Sequence, residues 1–476
     1  MSKQVKKAKT VRVSQKKSAV AEKTIIGKIH PDVLSFTVGK DPILDLDLAV
    51  WDCLGTAAHV TMLSKMPVKP AIITPKERDQ VVEALTDVIR EAQAGKFTIT
   101  EADQDVHLAV ERRLTERLGD LGKKIHTGRS RNDQVAVDIR LHIKDQLLSL
   151  TDELCDVAEA LTAFGKKHVK LPLVGRTHLQ PAMPSSVGVW ATAYAELLLD
   201  DLLTVEASYV YNDLCPLGSA AGYGVPLPID RALTAYLLDF SRPHHNVKHA
   251  SNARGKDEAI LLSACSQIMI SLSRLAEDLI LFSMPEFGYF ILPRELCTGS
   301  SIMPQKYNPD VLELIRAKAA IVQGYATSAN TLLTAMPGGY NRDLQDTKEL
   351  YMEGLRITRT SLRIMKLMVS SLDVRPDRLR AGFIPGVFAT DKALRMVADG
   401  MPFREAYQYV RSHLDELEAE DPDQAIAAKT HEGTTGGIDF HFYKHKIKDV
   451  RKWAQQRRTH AHKAFTKLLG SDFIQA

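Results

Sequence analysis

The segment GSSIMPQKYNPD, residues 299–310, sets two adjacent hydroxyls, Ser300 and Ser301, ahead of Lys306 and Asn308. It contains no histidine or glutamate, so it lacks a general base of the usual kind. It offers hydroxyls, backbone N–H groups, an ammonium and an amide. That set suits a reaction in which negative charge grows on a carboxylate oxygen. Removing a proton from the carbon beside a carboxylate creates such a dianion, an aci-carboxylate. Lys306 can neutralise it, and Asn308 and loop N–H groups can donate hydrogen bonds to it. The same residue types also build ordinary turns that cap a following helix, and composition alone favours that reading. The Ser-Ser and Lys-x-Asn elements together, within ten residues, favour a reaction site.

Further polar breaks supply complementary groups. GRTHLQPAMP (175–184) holds His178, whose ordinary pKa near neutrality suits proton transfer. Taken singly, a histidine in a loop before a helix is more often a surface or core residue. Glu313, just inside the helix after the 299–310 loop, can fix one tautomer of that imidazole, or simply complement the helix dipole. HTGRSRND (126–133) presents two arginines at a helix start, a place that attracts carboxylates; its bland alternative is a solvated basic turn. PGGYNRDLQDTK (337–348) offers Tyr340, Gln345 and Lys348, the last two on one face if helical. No phosphate-binding glycine motif occurs. No HExxH motif or carboxylate cluster suggests a metal.

Long helices must position these breaks. Val135, Ile139, Ile143, Leu147, Leu150, Leu154, Val157, Leu161 and Phe164 recur at helical spacing. Segments 186–213, 257–284, 309–335 and 345–373 read the same way. Residues 186–213 are apolar around most of the circumference, so they need cover on several faces. This predicts a mainly helical fold: an N-terminal domain over 25–126, a central bundle over 127–375, a C-terminal helical domain over 376–440 and a basic amphipathic tail over 441–476. The apolar stretch 259–282 is interrupted by Arg274, Glu277 and Asp278, which points to a bundle helix and not a membrane span.

The net charge of +4 conceals an asymmetry: residues 1–24 and 441–476 each carry +7, leaving −10 between them. The 1–24 arm has the composition of a disordered segment, and its single arginine argues against a transit peptide. In the tail, Ile447, Val450, Trp453, Ala454, Ala461, Phe465 and Leu468 share a helical face. Packing against the acidic body explains that face better than nucleic acid or membrane binding, which lack a supporting motif. Five scattered cysteines without a Cys-x-x-Cys pair fit free thiols in the reducing cytoplasm. Cys297, beside the 299–310 loop, reads as a packing residue.

GSSIMPQKYNPD resembles the signature loop of the fumarase/aspartase superfamily. HTGRSRNDQ, GRTHLQPA and YNRDLQDTKE resemble the argininosuccinate lyases within it, over roughly residues 35–440. The resemblance implies cleavage of argininosuccinate to arginine and fumarate without metal or organic cofactor. It implies a three-domain helical subunit with a long central bundle, and a homotetramer whose sites draw loops from three chains. It also implies that Ser300 is the base and that His178, partnered by Glu313, donates a proton to the leaving nitrogen. A serine is a poor base unless something stabilises its alkoxide; Lys306 and the loop amides are available. Arg131, Asn132, Thr177, Asn308, Tyr340, Gln345 and Lys348 match substrate contacts, and Ser130 and Arg254 match less directly. The usual N-terminal Trp-Gly-Gly-Arg-Phe element is absent, Asp41 stands where many members have serine, and Met183 replaces a frequent glutamine. A sibling lyase with another fumarate-yielding substrate, and a silent binding protein on the same fold, are the competing readings.

Overall fold

Ser130 starts the longest helix. Its side chain accepts from the Asn132 N–H at 3.3 Å, and Asp133 reaches back to the Ser130 N–H at 2.9 Å. This capping box satisfies donors that a helix start otherwise leaves free. From there Arg131–Lys167 runs unbroken for 37 residues, about 55 Å at helical rise. In the computed structural model, which describes residues 23–24 and 27–473, this helix is the spine of a bundle. Val187–Asn212 packs along it, Lys256–Ser283 packs on that helix, and Asp310–Leu332 and Thr347–Ser370 complete the group. Gly188 permits one close crossing: a Cβ there would lie 2.8 Å from the Val169 Cα. The fold is mainly helical, and among the described residues the short strands pair in two-stranded units.

Lys256–Ser283 is long and apolar enough to cross a membrane, yet two-thirds of that stretch is buried by its neighbours. Its apolar surface is used inside the protein. The N-terminal helices Ala49–Lys65 and Pro75–Gln93 join the bundle in one continuous core, which also takes in the C-terminal helix. The Ala389–Ala398 and Phe403–Ser412 pair has a small core of its own around Ala393, Ala406 and Val410. Most of the basic 1–24 arm lies outside the described residues.

The basic tail forms the helix Phe440–Leu469, which lies along Arg131–Lys167. Tyr443, Ile447, Ala454, Phe465, Leu468 and Leu469 are buried. Arg451 pairs with Asp156 at 2.7 Å and Glu159 at 3.0 Å, and Arg458 with Asp152 at 2.6 Å. The basic face meets acidic residues of the bundle, as the charge asymmetry suggests. Phe465 packs edge-on against Trp51 and Phe473. Phe465→Ala is therefore expected to cost about 3–5 kcal/mol through lost burial and a residual cavity. Urea unfolding measures this; a loss below about 1 kcal/mol would show that the tail contributes little to the shared core.

Candidate active site

The N-terminal end of Arg131–Lys167 forms one wall of a cavity of about 200 Å³. Arg131 and Asn132 line it with Arg254, Tyr340, Gln345 and Lys348. Asp133 ties the Pro216–Arg231 connection to this helix end, accepting from the Gly218 N–H at 3.0 Å and the Ala220 N–H at 2.8 Å. Burial pushes the Asp133 carboxyl up to about 6, against the pull of those N–H donors.

The cavity wall is already internally bonded. Lys348 is buried between Asp45 and Asp41, the latter at 2.9 Å. Burial opposes its charge, but the two carboxylates outweigh that and raise its pKa. Gln345 donates to the Thr37 carbonyl at 2.9 Å and accepts from Arg342 at 3.0 Å. Arg131 pairs with Asp105 at 3.2 Å. The Arg254 guanidinium lies 4.8 Å from the Tyr340 ring centroid, and its Nε and Nη1 have no hydrogen-bond partner. Asp41 is thus an ion-pair partner of Lys348.

Sequence reading missed Asp45, Asp105, His107 and Arg342 in this wall. His107 sits in the regular helix Val106–Leu118, where no break or spacing marks it. Its Nδ1 donates to Asp52 at 2.8 Å, with Asp138 at 3.6 Å. Burial works against its charge, yet Asp52 and the neighbouring carboxylates raise it to about 9. These three side chains could geometrically hold a metal. Within this chain the three side chains form a buried network in which His107 bonds Asp52 and lies close to Asp138.

Beneath the HTGRSRND turn, buried His59 has Nε2 2.9 Å from the Thr127 carbonyl. Burial lowers His59 to about 3, His142 to about 4 and His244 to about 3 from the usual 6.5. The unfolded chain takes up protons on these groups below about 6.5, while the native state keeps them neutral. These three histidines therefore contribute a loss of stability as pH drops from 6.5 toward 4, opposed below about 6 by Asp133 and Asp201, whose carboxyls burial raises to about 6. The histidine contribution is read by comparison: His59→Gln should lose less stability than wild type in thermal unfolding across that range, and an identical pH dependence would remove His59 from the account.

His178 lies at the tip of a β-hairpin, not in the irregular loop that sequence suggests. Pro172–Thr177 pairs antiparallel with Gln180–Ser186, leaving His178 and Leu179 as the turn. Both have positive φ, 54° and 62°. Left-handed backbone costs roughly 1–2 kcal/mol per non-glycine residue. Such strain persists where the surroundings hold it, often at functional positions. Thr177, at the end of the first strand, is exposed beside it.

The 299–310 loop is pinched at its base, where Thr298 pairs with Asn308 and Gly299 with Tyr307. Ser300 Oγ accepts from the Ile302 N–H at 3.3 Å and the Met303 N–H at 3.1 Å. Those two N–H groups would also face an alkoxide at Ser300. Lys306 is exposed, Asn308 partly so, and Glu313 is exposed on the following helix. Among the described residues, no hydrogen bond or ion pair joins His178 to Glu313 in one chain. Neither the hairpin nor this loop lines the cavity. One chain therefore carries the expected residues in three separate clusters.

A protein-family model described as a lyase matches residues 47–324. Argininosuccinate lyase of Sorangium cellulosum is 40% identical over 412 residues, 87% of this chain and 95% of that one. The Thermotoga neapolitana argininosuccinate lyase is 40% identical over 382 residues, 80% and 95% of the two chains. Among solved structures, an EDDS lyase in complex with formate matches with a TM-score of 0.77 at 23% identity, covering 93% of this chain and 95% of that one. A class II fumarase from Schistosoma mansoni matches with a TM-score of 0.68 at 17% identity, covering 86% and 99%. These two structures show the shared helical fold. With relatives of 40% identity spanning most of both sequences, the chain belongs to the argininosuccinate lyase family.

Proposed function

We propose that the protein cleaves argininosuccinate reversibly to L-arginine and fumarate, as a carbon–nitrogen lyase of arginine biosynthesis. The observation that supports this most is the identity to argininosuccinate lyases over nearly their whole length. Ser300 removes a proton from the succinyl carbon next to a carboxylate. The electron pair enters that carboxylate as an aci-carboxylate, with Lys306, Asn308 and loop N–H groups offsetting its charge. The carbon–nitrogen bond then breaks, and His178 protonates the departing guanidino nitrogen. Arg131, Asn132 and Tyr340 receive the polar ends of the substrate, with Thr177 completing the contacts. Ser130 shapes the helix end, and Gln345 and Lys348 act from the wall they already stabilise.

The active enzyme in this reading is a cytoplasmic homotetramer with sites shared between subunits. The separation of the three clusters within one chain supports it. So do exposed apolar side chains on long helices, among them Leu314 at 54% and Val210 at 62% exposure. A single chain leaves these faces uncovered. The five cysteines are unpaired, which suits a reducing compartment.

Incubation of purified protein with argininosuccinate, followed by fumarate absorbance, tests the proposal. Fumarate and arginine should appear in equal amounts. No turnover of argininosuccinate, with fumarate formed from another succinyl or aspartate-derived compound, would transfer the assignment to a sibling lyase. No turnover of any such compound by the assembled protein would leave a binding role.

A further inference from the structure

We infer that Arg176 is a positioning residue that holds the His178 turn in its working geometry; this rests on the reading of His178 as the proton donor. The hairpin tip lacks its usual supports. Two-residue turns with both φ positive favour Asn-Gly or similar pairs, and here the pair is His178–Leu179. Beside it, Arg176 pairs with Pro181, and a proline has no N–H to give to the ladder.

Arg176 supplies what the ladder lacks. Its Nη1 donates to the Leu179 carbonyl at 3.0 Å, so the side chain spans the turn it precedes. The guanidinium sits 4.8 Å from the Phe287 ring centroid. Phe287 in turn packs edge-on against Phe282 and Tyr289, so the brace is anchored to the aromatic core. A register shift between Gly175 and Arg176 interrupts strand alternation there, and such bulges re-aim side chains. Gly175 keeps the strands close there: a Cβ would sit a tight 3.0 Å from the Met183 carbonyl oxygen. A planar guanidinium can stack and donate at once, which a lysine ammonium does not reproduce.

The test uses full-length assembled enzyme with argininosuccinate. Arg176→Met keeps a long side chain over Phe287 and removes the donor. It should lower kcat by about 10- to 10²-fold, as misplacement of a catalytic group does, with KM nearly unchanged. Arg176→Lys should fall between this variant and wild type. Adding Leu179→Gly to Arg176→Met should recover most of kcat, because glycine adopts positive φ without the brace. A purely structural role predicts loss of assembly instead, and no recovery by glycine. Wild-type kcat in both Arg176 variants, or no recovery in the double variant, overturns the inference while His178→Asn remains inactive. Full turnover in His178→Asn would instead remove the reading on which the inference rests.

Discussion

His178→Asn and Ser300→Ala are each expected to lower turnover by about 10²–10⁴-fold, the usual contribution of a positioned proton-transfer group. Neither substitution should disturb folding. His178 projects from an exposed hairpin tip, and among the described residues Ser300 Oγ is bonded to the N–H groups two and three residues ahead in its own loop. Circular dichroism and size-exclusion profiles should match wild type while fumarate release collapses. Near-normal turnover in Ser300→Ala would require a different base. Subunit sharing extends the same prediction. Inactive His178→Asn and Lys306→Ala proteins, mixed under conditions of subunit exchange, should regain part of the activity, because some mixed sites receive both intact loops. Zero recovery despite demonstrated exchange would assign each site to a single chain.

Lys348→Met should be the most damaging change in the cavity wall. It removes the cation shared by Asp41 and Asp45 and leaves the buried Asp45 carboxylate facing the partly exposed Asp41 with no counter-charge between them. Breaking a buried ion pair from one side costs about 3–5 kcal/mol. The urea midpoint should fall accordingly, and the KM for argininosuccinate should rise as the wall deforms. Asp41→Ser removes one of the two carboxylates and leaves Lys348 paired with Asp45. It should be far milder, and in the Lys348→Met background it should recover some stability. Equal stability of Lys348→Met and wild type would show that the ion cluster makes no net contribution.

Much of this molecule is legible without coordinates. The three- and four-residue recurrence from Val135 to Phe164 specifies one long helix, and the structure has it as Arg131–Lys167. The segments read at 186–213, 257–284, 309–335 and 345–373 appear as helices shifted by no more than three residues at either end. The polar breaks between them hold the residues with chemical capacity. The periodicity is readable because it depends on neighbours within one or two turns, and the buried face of a helix must repeat with the helix.

The hairpin at His178 is not legible, because His-Leu carries no turn signal and its positive φ is imposed by surroundings. Nor is the cavity wall. Lys348 meets Asp45 across 303 residues of sequence, and Arg342 and Gln345 meet Thr37 across more than that. His107 lies in an unremarkable helix, and its raised pKa comes from Asp52, which folding buries beside it, and from the nearby Asp105 and Asp138. Local patterning determined where the chain is helical and where polar side chains interrupt the helices. Tertiary packing alone decided which of them meet, since burial and long-range ion pairs depend on helices whose sequence positions carry no record of their neighbours in space.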